Sequence, residues 1–155
     1  MSAGYSGTPL IKKLGIKEEA RLALLGAPDG FDAVIGALPA GVEVRTRAQG
    51  TFDVVLCFLT AQRDLERRFP TLMRVLDPDG GLWIAWPKRA SGVPTDVTED
   101  TVREVALAHG LVDNKVCAVD QVWSGLRVVY RVADRPALRS RKSKGAAKAA
   151  AQPPV

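Results

Sequence analysis

Three polar residues directly follow a short apolar run, and together they could hold an anion. The run LWIAW over 82–86 predicts a buried strand. Lys88 and Arg89 supply positive charge, and Ser91 supplies a hydroxyl next to a glycine. Donors of this kind bind carboxylate or phosphate groups. Trp86 is expected either to form an apolar wall beside that ligand or to lie in the core, with the loop as a solvated connector.

A glycine-containing loop, G-A-P-D-G over 26–30, follows another apolar run. Dinucleotide sites use G-x-G-x-x-G, which lets the backbone approach phosphate closely, and this loop departs from that pattern. Pro28 also has no N–H to donate to a phosphate. Gly26, Asp29 and Gly30 are candidate ligand contacts. The alternative is a structural turn in which Asp29 caps the following helix.

The sequence contains few residues that could serve in nucleophilic catalysis, redox chemistry or metal binding. The single histidine, His109, precedes a glycine where a helix is expected to end, which favours a capping role. Cys57 and Cys117 both lie within apolar runs, where a free cysteine is usually a small buried residue. The sequence leaves open whether either has a redox role. No metal-ligand spacing and no Ser-His-Asp arrangement can be assembled.

Strand-like and helix-like segments alternate along the chain. Apolar runs predict buried strands at 21–25, 52–59 and 82–86, and alternation predicts a half-exposed strand at 42–47. Two further strands are predicted at 116–119 and 126–132. Helices are predicted at 10–14, 31–38, 62–76 and 101–109, the third of them bent or broken at Pro70 and followed by a turn at 77–81.

This order predicts an α/β fold: a three-layer α-β-α sandwich, Rossmann-like, with a mostly parallel sheet that ends in an antiparallel strand pair. It looks like the fold of the S-adenosylmethionine-dependent methyltransferases. Ligands on such sheets bind beyond the carboxyl ends of the strands. Thr60, which follows a predicted strand, joins the two loops there. The candidate cofactor-binding residues are Gly26, Asp29, Gly30, Thr60, Trp86, Lys88, Arg89 and Ser91.

The second predicted strand lacks the acid that a ribose hydroxyl would need at its end. Glu43 lies inside the run, and Arg45, Thr46 and Arg47 end it. If a nucleotide binds, these arginines favour a phosphate. An exposed strand end is the alternative.

Length and composition predict one domain with a real core. The chain has 155 residues, of which 46% are hydrophobic and 25% charged. The sequence has no apolar run long enough to span a membrane and no signal-peptide core at its start, so we expect a cytoplasmic protein. The domain is expected to occupy 1–134, followed by a disordered tail at 135–155.

The basic charge belongs to that tail. Residues 135–155 contain six basic residues and no acid, so residues 1–134 sum to about −1 within a total of +5. The tail is expected to act as a solubilising segment or to make weak, salt-sensitive contacts with nucleic acid or anionic lipid.

Four long stretches of the sequence carry a family resemblance. They are GYSGTPLIKKLGIK at 4–17, LLGAPDGF at 24–31, WPKRASGVPTDVTED at 86–100 and LVDNKVCAVDQVWSGLR at 111–127. They resemble an actinobacterial domain-of-unknown-function family of small Rossmann-like, methyltransferase-like proteins. The resemblance covers most of residues 4–132. It implies the fold and a cytoplasmic bacterial origin, but no reaction.

Three functions are compatible with these features. The first expectation is a non-catalytic module that binds a small anionic or nucleotide-like ligand, or a regulatory module, because no acid–base pair or complete cofactor loop is evident. The alternative is a divergent methyltransferase that uses S-adenosylmethionine. The third is a protein-interaction or weak nucleic-acid-binding protein that acts through its tail. The sequence names neither the ligand nor the oligomeric state.

Overall fold

The computed structural model describes residues 8–141, which form helical layers on both faces of a six-stranded sheet. The strands are β1 (Arg21–Leu25), β2 (Glu43–Arg45), β3 (Phe52–Phe58), β4 (Leu76–Pro87), β5 (Leu111–Ala118) and β6 (Trp123–Tyr130). The helices are α1 (Leu10–Leu14), α2 (Phe31–Ile35), α3 (Gln62–Val75) and α4 (Glu99–Ala108). Residues 135–141 are also helical.

The sheet order is β2-β1-β3-β4-β6-β5. β2, β1, β3 and β4 are parallel, and β6 runs antiparallel to both of its neighbours. From β1 the chain continues to one side of the sheet, and from β3 it continues to the other. The topological switch point therefore lies between the carboxyl ends of β1 and β3. The predicted α/β fold is confirmed, including its antiparallel end.

Each face of the sheet has its own apolar core. On one face α3 and α4 contribute buried residues such as Phe69 and Val102. On the other face α1 and α2 contribute Leu14 and Phe31, which pack with Trp83 of β4. The Trp83 indole Nε1 donates a hydrogen bond to the Leu14 carbonyl at 3.0 Å, which fixes α1 on the sheet.

Two features predicted to interrupt regular structure, the break at Pro70 and the turn at 77–81, take a different form in the structure. Helix α3 runs without a break through Pro70, because Pro70 and Glu66 are exposed and water can satisfy the carbonyl that loses its partner. The predicted turn at 77–81 lies within β4 as a bulge. Phe52 pairs with Leu76 and Val54 pairs with Gly81, so residues 77–80 lie opposite Asp53 alone.

Several element boundaries also move. Helix α2 ends at Ile35 rather than at 38, because Gly36 adopts a φ of 76°. β5 begins at Leu111, five residues before the predicted start, and β6 spans Trp123–Tyr130 instead of 126–132. In both strands, hydrogen-bonded pairing thus extends beyond the segment that an apolar pattern marks in the sequence and includes polar residues.

The chain continues past the predicted domain end at 134 as the helix over 135–141. Leu138 packs against the core, and the Arg139 guanidinium Nε donates to Asp79 Oδ2 at 2.8 Å. The first part of the predicted tail is therefore folded onto the sheet. The remainder, 142–155, lies outside the described residues. No helix within 8–141 has the length and apolarity needed to cross a membrane.

Candidate functional site

The carboxyl edge of the sheet brings several loops together. β1 to β4 and β5 all end at this edge, and β6 begins there. The structure places the loop 26–30, Thr60 and the segment 88–91 along it. This is the edge at which open α/β sheets bind their ligands.

A cleft of about 380 Å³ opens at this edge beside β1 and β2. Its volume falls within the range of roughly 300–1,000 Å³ that is usual for small-molecule sites. Gly26 and Gly30, two of the predicted contacts, line it, and Asp29 is exposed in the same loop. The full lining is Leu24, Gly26, Ala27, Pro28, Gly30, Phe31, Asp32 and Thr46.

Position 26 requires glycine for two reasons. Its φ of +70° lies in the left-handed region, which side chains disfavour. A Cβ there would also lie 3.1 Å from the carbonyl oxygen of Phe58, at the end of β3. The loop therefore passes very close to the switch point of the sheet.

The loop has backbone donors available to a ligand. Its turn is closed by the Phe31 N–H, which donates to the Pro28 carbonyl at 3.1 Å. Within residues 8–141, no acceptor takes a hydrogen bond from the amides of Ala27, Asp29 or Gly30. Because the loop is exposed, these amides can donate either to water or to a bound carboxylate or phosphate.

A row of three aromatic rings begins at the cleft with Phe31. The rings of Phe31 and Phe58 meet edge to face with centroids 5.0 Å apart, and Phe58 meets Trp123 in the same way at 5.0 Å. Phe31 and Phe58 are buried, and Trp123 is half-buried. Phe31 alone of the three lines the cleft, and its packing against Phe58 gives the cleft a rigid apolar wall on the α2 side of the sheet.

The second strand brings no carboxylate to the cleft. Glu43 pairs in register with Arg21, so it lies at the amino end of β2, and its carboxylate is 4.0 Å from the Arg45 guanidinium. The acid in the lining is Asp32, in the first turn of α2, and Thr46 adds a hydroxyl. Sequence reasoning missed Asp32 as a site residue, although it lies two positions after the glycine loop.

The residues after β4 do not gather around this cleft. The Lys88 ammonium donates to the Asp120 carbonyl at 2.8 Å, and the Ser91 hydroxyl donates to the Lys88 carbonyl at 2.6 Å. Arg89 is exposed in a short 3-10 turn. Trp86 is buried in the core on the α3 side, so the core placement is the correct one of the two expected from the sequence. Lys88 and Ser91 therefore stabilise this turn, and Trp86 contributes to the core.

The following segment, 92–98, crosses the end of β3. The Thr95 hydroxyl donates to the Thr60 carbonyl at 2.6 Å, and Asp96 Oδ1 accepts from the Gln62 amide at 2.7 Å. Asp96 thereby caps α3. Thr98 caps α4 by accepting from the Thr101 amide at 3.2 Å. The segment is thus fixed at the end of β3, and its Val97 packs in the core on the α3 side of the sheet.

The cysteines and the histidine lie in structural positions. Cys57 is fully buried, and burial raises the pKa of its thiol to about 11, against a smaller opposing effect of Arg68. Cys117 is half-buried. The His109 ring lies 2.9 Å from the Val105 carbonyl and 4.8 Å from the Phe69 ring. Within 8–141, no three His, Cys, Asp or Glu side chains are grouped to hold a metal.

Residues 34–132 match the family described as "Protein of unknown function (DUF3052)". The match spans more than half of the chain, and the chain belongs to this family. No relative was found among functionally curated proteins.

Solved structures with this fold include methyltransferases. A SAM-dependent methyltransferase from Aquifex aeolicus is 17% identical, with a TM-score of 0.55 over 77% of this chain and 86% of the other. A ribosomal-protein methylase from Lactobacillus delbrueckii is 13% identical, with a TM-score of 0.53 over 79% and 75%. Magnesium protoporphyrin IX methyltransferase from Synechocystis, solved with bound SAM, is 10% identical, with a TM-score of 0.51 over 79% and 74%. At these identities the likeness establishes the fold.

Proposed function

We propose that this member of the DUF3052 family binds S-adenosylmethionine in the carboxyl-edge cleft and acts as a methyltransferase. The observation that carries the proposal is the cleft itself, beside the switch point, with three loop amides that have no partner within residues 8–141. The methyltransferase fold of the structural neighbours supports it. This proposal favours the catalytic alternative over a non-catalytic module.

The chemistry of the lining suits such a ligand. The amides of Ala27, Asp29 and Gly30 would donate to the carboxylate of the methionine part. Leu24 and the Phe31 ring would provide apolar contact for the adenine. Asp32 would accept hydrogen bonds from the ribose hydroxyls, a role that usually falls to an acid on the second strand.

Bound S-adenosylmethionine supplies an electrophilic methyl group. The protein's part is to position that group against an acceptor and to keep water out. The loop 26–30 and the start of α2, which line the cleft, would hold the cofactor in place for the first of these tasks. Asp32 is the one ionisable side chain that the described residues bring to the cleft lining.

A non-catalytic ligand-binding or regulatory module is the second candidate. It is favoured by the end of β2, where Arg45, Thr46 and Arg47 replace the expected acid. Pro28 also removes one loop donor. Such a module would bind a small nucleotide-like ligand without converting it.

Calorimetric titration of the full chain with S-adenosylmethionine and S-adenosylhomocysteine tests the proposal. Saturable binding of both at micromolar concentrations is expected. Absence of heat at millimolar ligand, with no change in melting temperature, would rule the cofactor out. Binding without any S-adenosylhomocysteine formation in the presence of nucleophilic acceptors would favour the non-catalytic module.

A further inference from the structure

A cavity of about 560 Å³ opens at the opposite, amino edge of the sheet. It lies between the end of α1, the starts of β1 and β3, and the bulge of β4. It shares no lining residue with the carboxyl-edge cleft. Its charged lining residues are Lys13, Lys17, Glu18, Glu19, Asp53, Asp77, Asp79, Lys115 and Arg127.

The Arg127 guanidinium occupies space that is open because residue 81 is a glycine. Arg127 is opposite Trp83 on β4 and opposite Lys115 on β5, so its side chain shares the α1 face of the sheet with both. From there the guanidinium extends over Gly81, where an added Cβ would lie 2.6 Å from its Cζ. Any side chain at 81 would displace it. Gly81 therefore leaves space for this cation beside the indole of Trp83.

Three of the five acids that line the cavity are already partnered, whereas Glu18 and Glu19 have no ion pair with a residue of 8–141. Arg21 binds Asp53 at 3.0 Å and Asp77 at 3.4 Å through its Nη2. Arg139 binds Asp79. Arg127, by contrast, has no hydrogen bond and no ion pair with any residue of 8–141. Its nitrogens are not sealed from the cavity, since no side-chain nitrogen or oxygen in the described chain is both buried and unpartnered.

The surroundings of Arg127 disfavour the charge on its guanidinium. Arg127 is half-buried, and burial lowers the pKa of its guanidinium, with a smaller contribution from Arg135. A partly desolvated charge without a partner costs free energy that an apolar side chain would not. Arginine in such a position is typical of sites that bind carboxylate or phosphate groups through paired donors.

We propose that the amino-edge cavity is a second ligand site, which binds the carboxylate or phosphate group of a small molecule through the Arg127 guanidinium. Lys115, opposite Arg127 on β5, and Lys17, after α1, add positive charge at the rim. The site is independent of the proposed methyltransferase cleft. It would recognise a regulatory anion or a substrate different from the cofactor.

Titration of the full chain with inorganic phosphate and, separately, with succinate tests the site. Both are measured by calorimetry at constant ionic strength, so that general salt effects cancel. We expect saturable binding of at least one of the two anions. Binding of phosphate alone would identify the ligand group as a phosphate, and binding of succinate alone would identify it as a carboxylate. Arg127→Gln should weaken it by tenfold or more, and Gly81→Ala should weaken it by displacing the guanidinium. Arg63→Gln, at an exposed helix position, is the matched control.

Two binding results would overturn the proposal. One is the lack of saturable binding of either anion. The other is binding that Arg127→Gln changes by less than twofold. Thermal unfolding separates a ligand role from a structural one, because Arg127→Met should not lower the melting temperature in anion-free buffer. A clear fall would assign Arg127 a structural role instead, whereas phosphate or succinate that stabilises the wild type but not Arg127→Met would support the site.

Discussion

The hydroxyl of Thr95 donates a hydrogen bond to the carbonyl of Thr60 at 2.6 Å, although the two residues are 35 positions apart. The same hydroxyl accepts from the Val97 amide at 3.0 Å. Thr60 lies two residues after the end of the central strand β3, so this contact fastens the segment 92–98 to the carboxyl edge of the sheet. The segment is therefore a fixed part of the carboxyl edge at which the candidate site lies.

Thr95→Val tests that attachment to Thr60. The change keeps the shape but removes both hydrogen bonds, and each contributes about 1 kcal/mol. For a domain of this size we expect the melting temperature to fall by roughly 3–8 °C. Thr51→Val is the control, because no residue of 8–141 hydrogen-bonds to the Thr51 hydroxyl. Equal melting temperatures for Thr95→Val and the wild type would show that the segment is not held by this contact.

The Arg21–Asp53 pair predicts a pH dependence of stability. Burial opposes ionisation of Asp53, but hydrogen bonds from the Arg21 amide at 2.8 Å and from its guanidinium at 3.0 Å outweigh it and lower the pKa of the carboxyl. Such a group stabilises the fold above its unfolded pKa, near 3.9, and loses that contribution as the pH falls through the folded value.

We therefore expect Asp53→Asn to lower the melting temperature at pH 7 and to have less effect near pH 3. Both side chains are about two-fifths exposed, so the loss should be about 1 kcal/mol or less. Asp64→Asn, which breaks the exposed pair with Arg67, is the comparison. If Asp53→Asn lowers the melting temperature equally at both pH values, the lowered pKa of Asp53 in the folded protein is contradicted.

The two thiols should differ in reactivity. Cys57 is buried with a pKa of about 11, so little thiolate forms near pH 8. Burial also raises the pKa of Cys117, but Lys13, Lys115 and Lys88 oppose it, and the residue is half-exposed. We expect DTNB to react with one thiol in the native chain and with two after unfolding. Cys117→Ser should abolish the native reaction, and native labelling of Cys57 would disprove the packing described.

The helix at 135–141 should contribute to stability. Leu138 packs against the core and Arg139 binds Asp79, so a chain ending at 134 should melt several degrees below one ending at 141. Leu138→Ala in the longer chain should reproduce part of that loss. Identical melting curves for the two truncated chains would restore 134 as the domain end.

Sequence patterns located most elements because buried strands are read from continuous apolar runs. The strand at 21–25 was predicted to the residue, and β3 was predicted to within one residue. Local rules failed where distant partners decide the structure. The DPDGG run looks like a turn, yet it becomes a bulge of β4 whose Asp77 joins Asp53 around Arg21. No local pattern contains that contact.

The candidate site was predictable only in part. Gly26 and Gly30 could be named because glycine loops after a buried strand mark the ligand edge of such sheets. Lys88 and Ser91 have suitable chemistry, but their hydrogen bonds to the turn at 120 and to each other use them structurally. Arg127 could not be identified from sequence, because its position depends on strand register and on Gly81 in a different strand.

The most direct test of the central claim is to follow the backbone amides of the glycine loop by two-dimensional NMR as S-adenosylhomocysteine is added to the full chain. Binding in the carboxyl-edge cleft predicts large, saturable shifts of the Ala27, Asp29 and Gly30 amides, while those of Gly81 and Lys115 stay unchanged. Gly26→Val should abolish the response, and Gly110→Ala, a glycine of similar φ with nothing within 4 Å of its added Cβ, should preserve it. Unshifted loop amides at saturating ligand, or shifts confined to the amino edge, would contradict the proposed cofactor site.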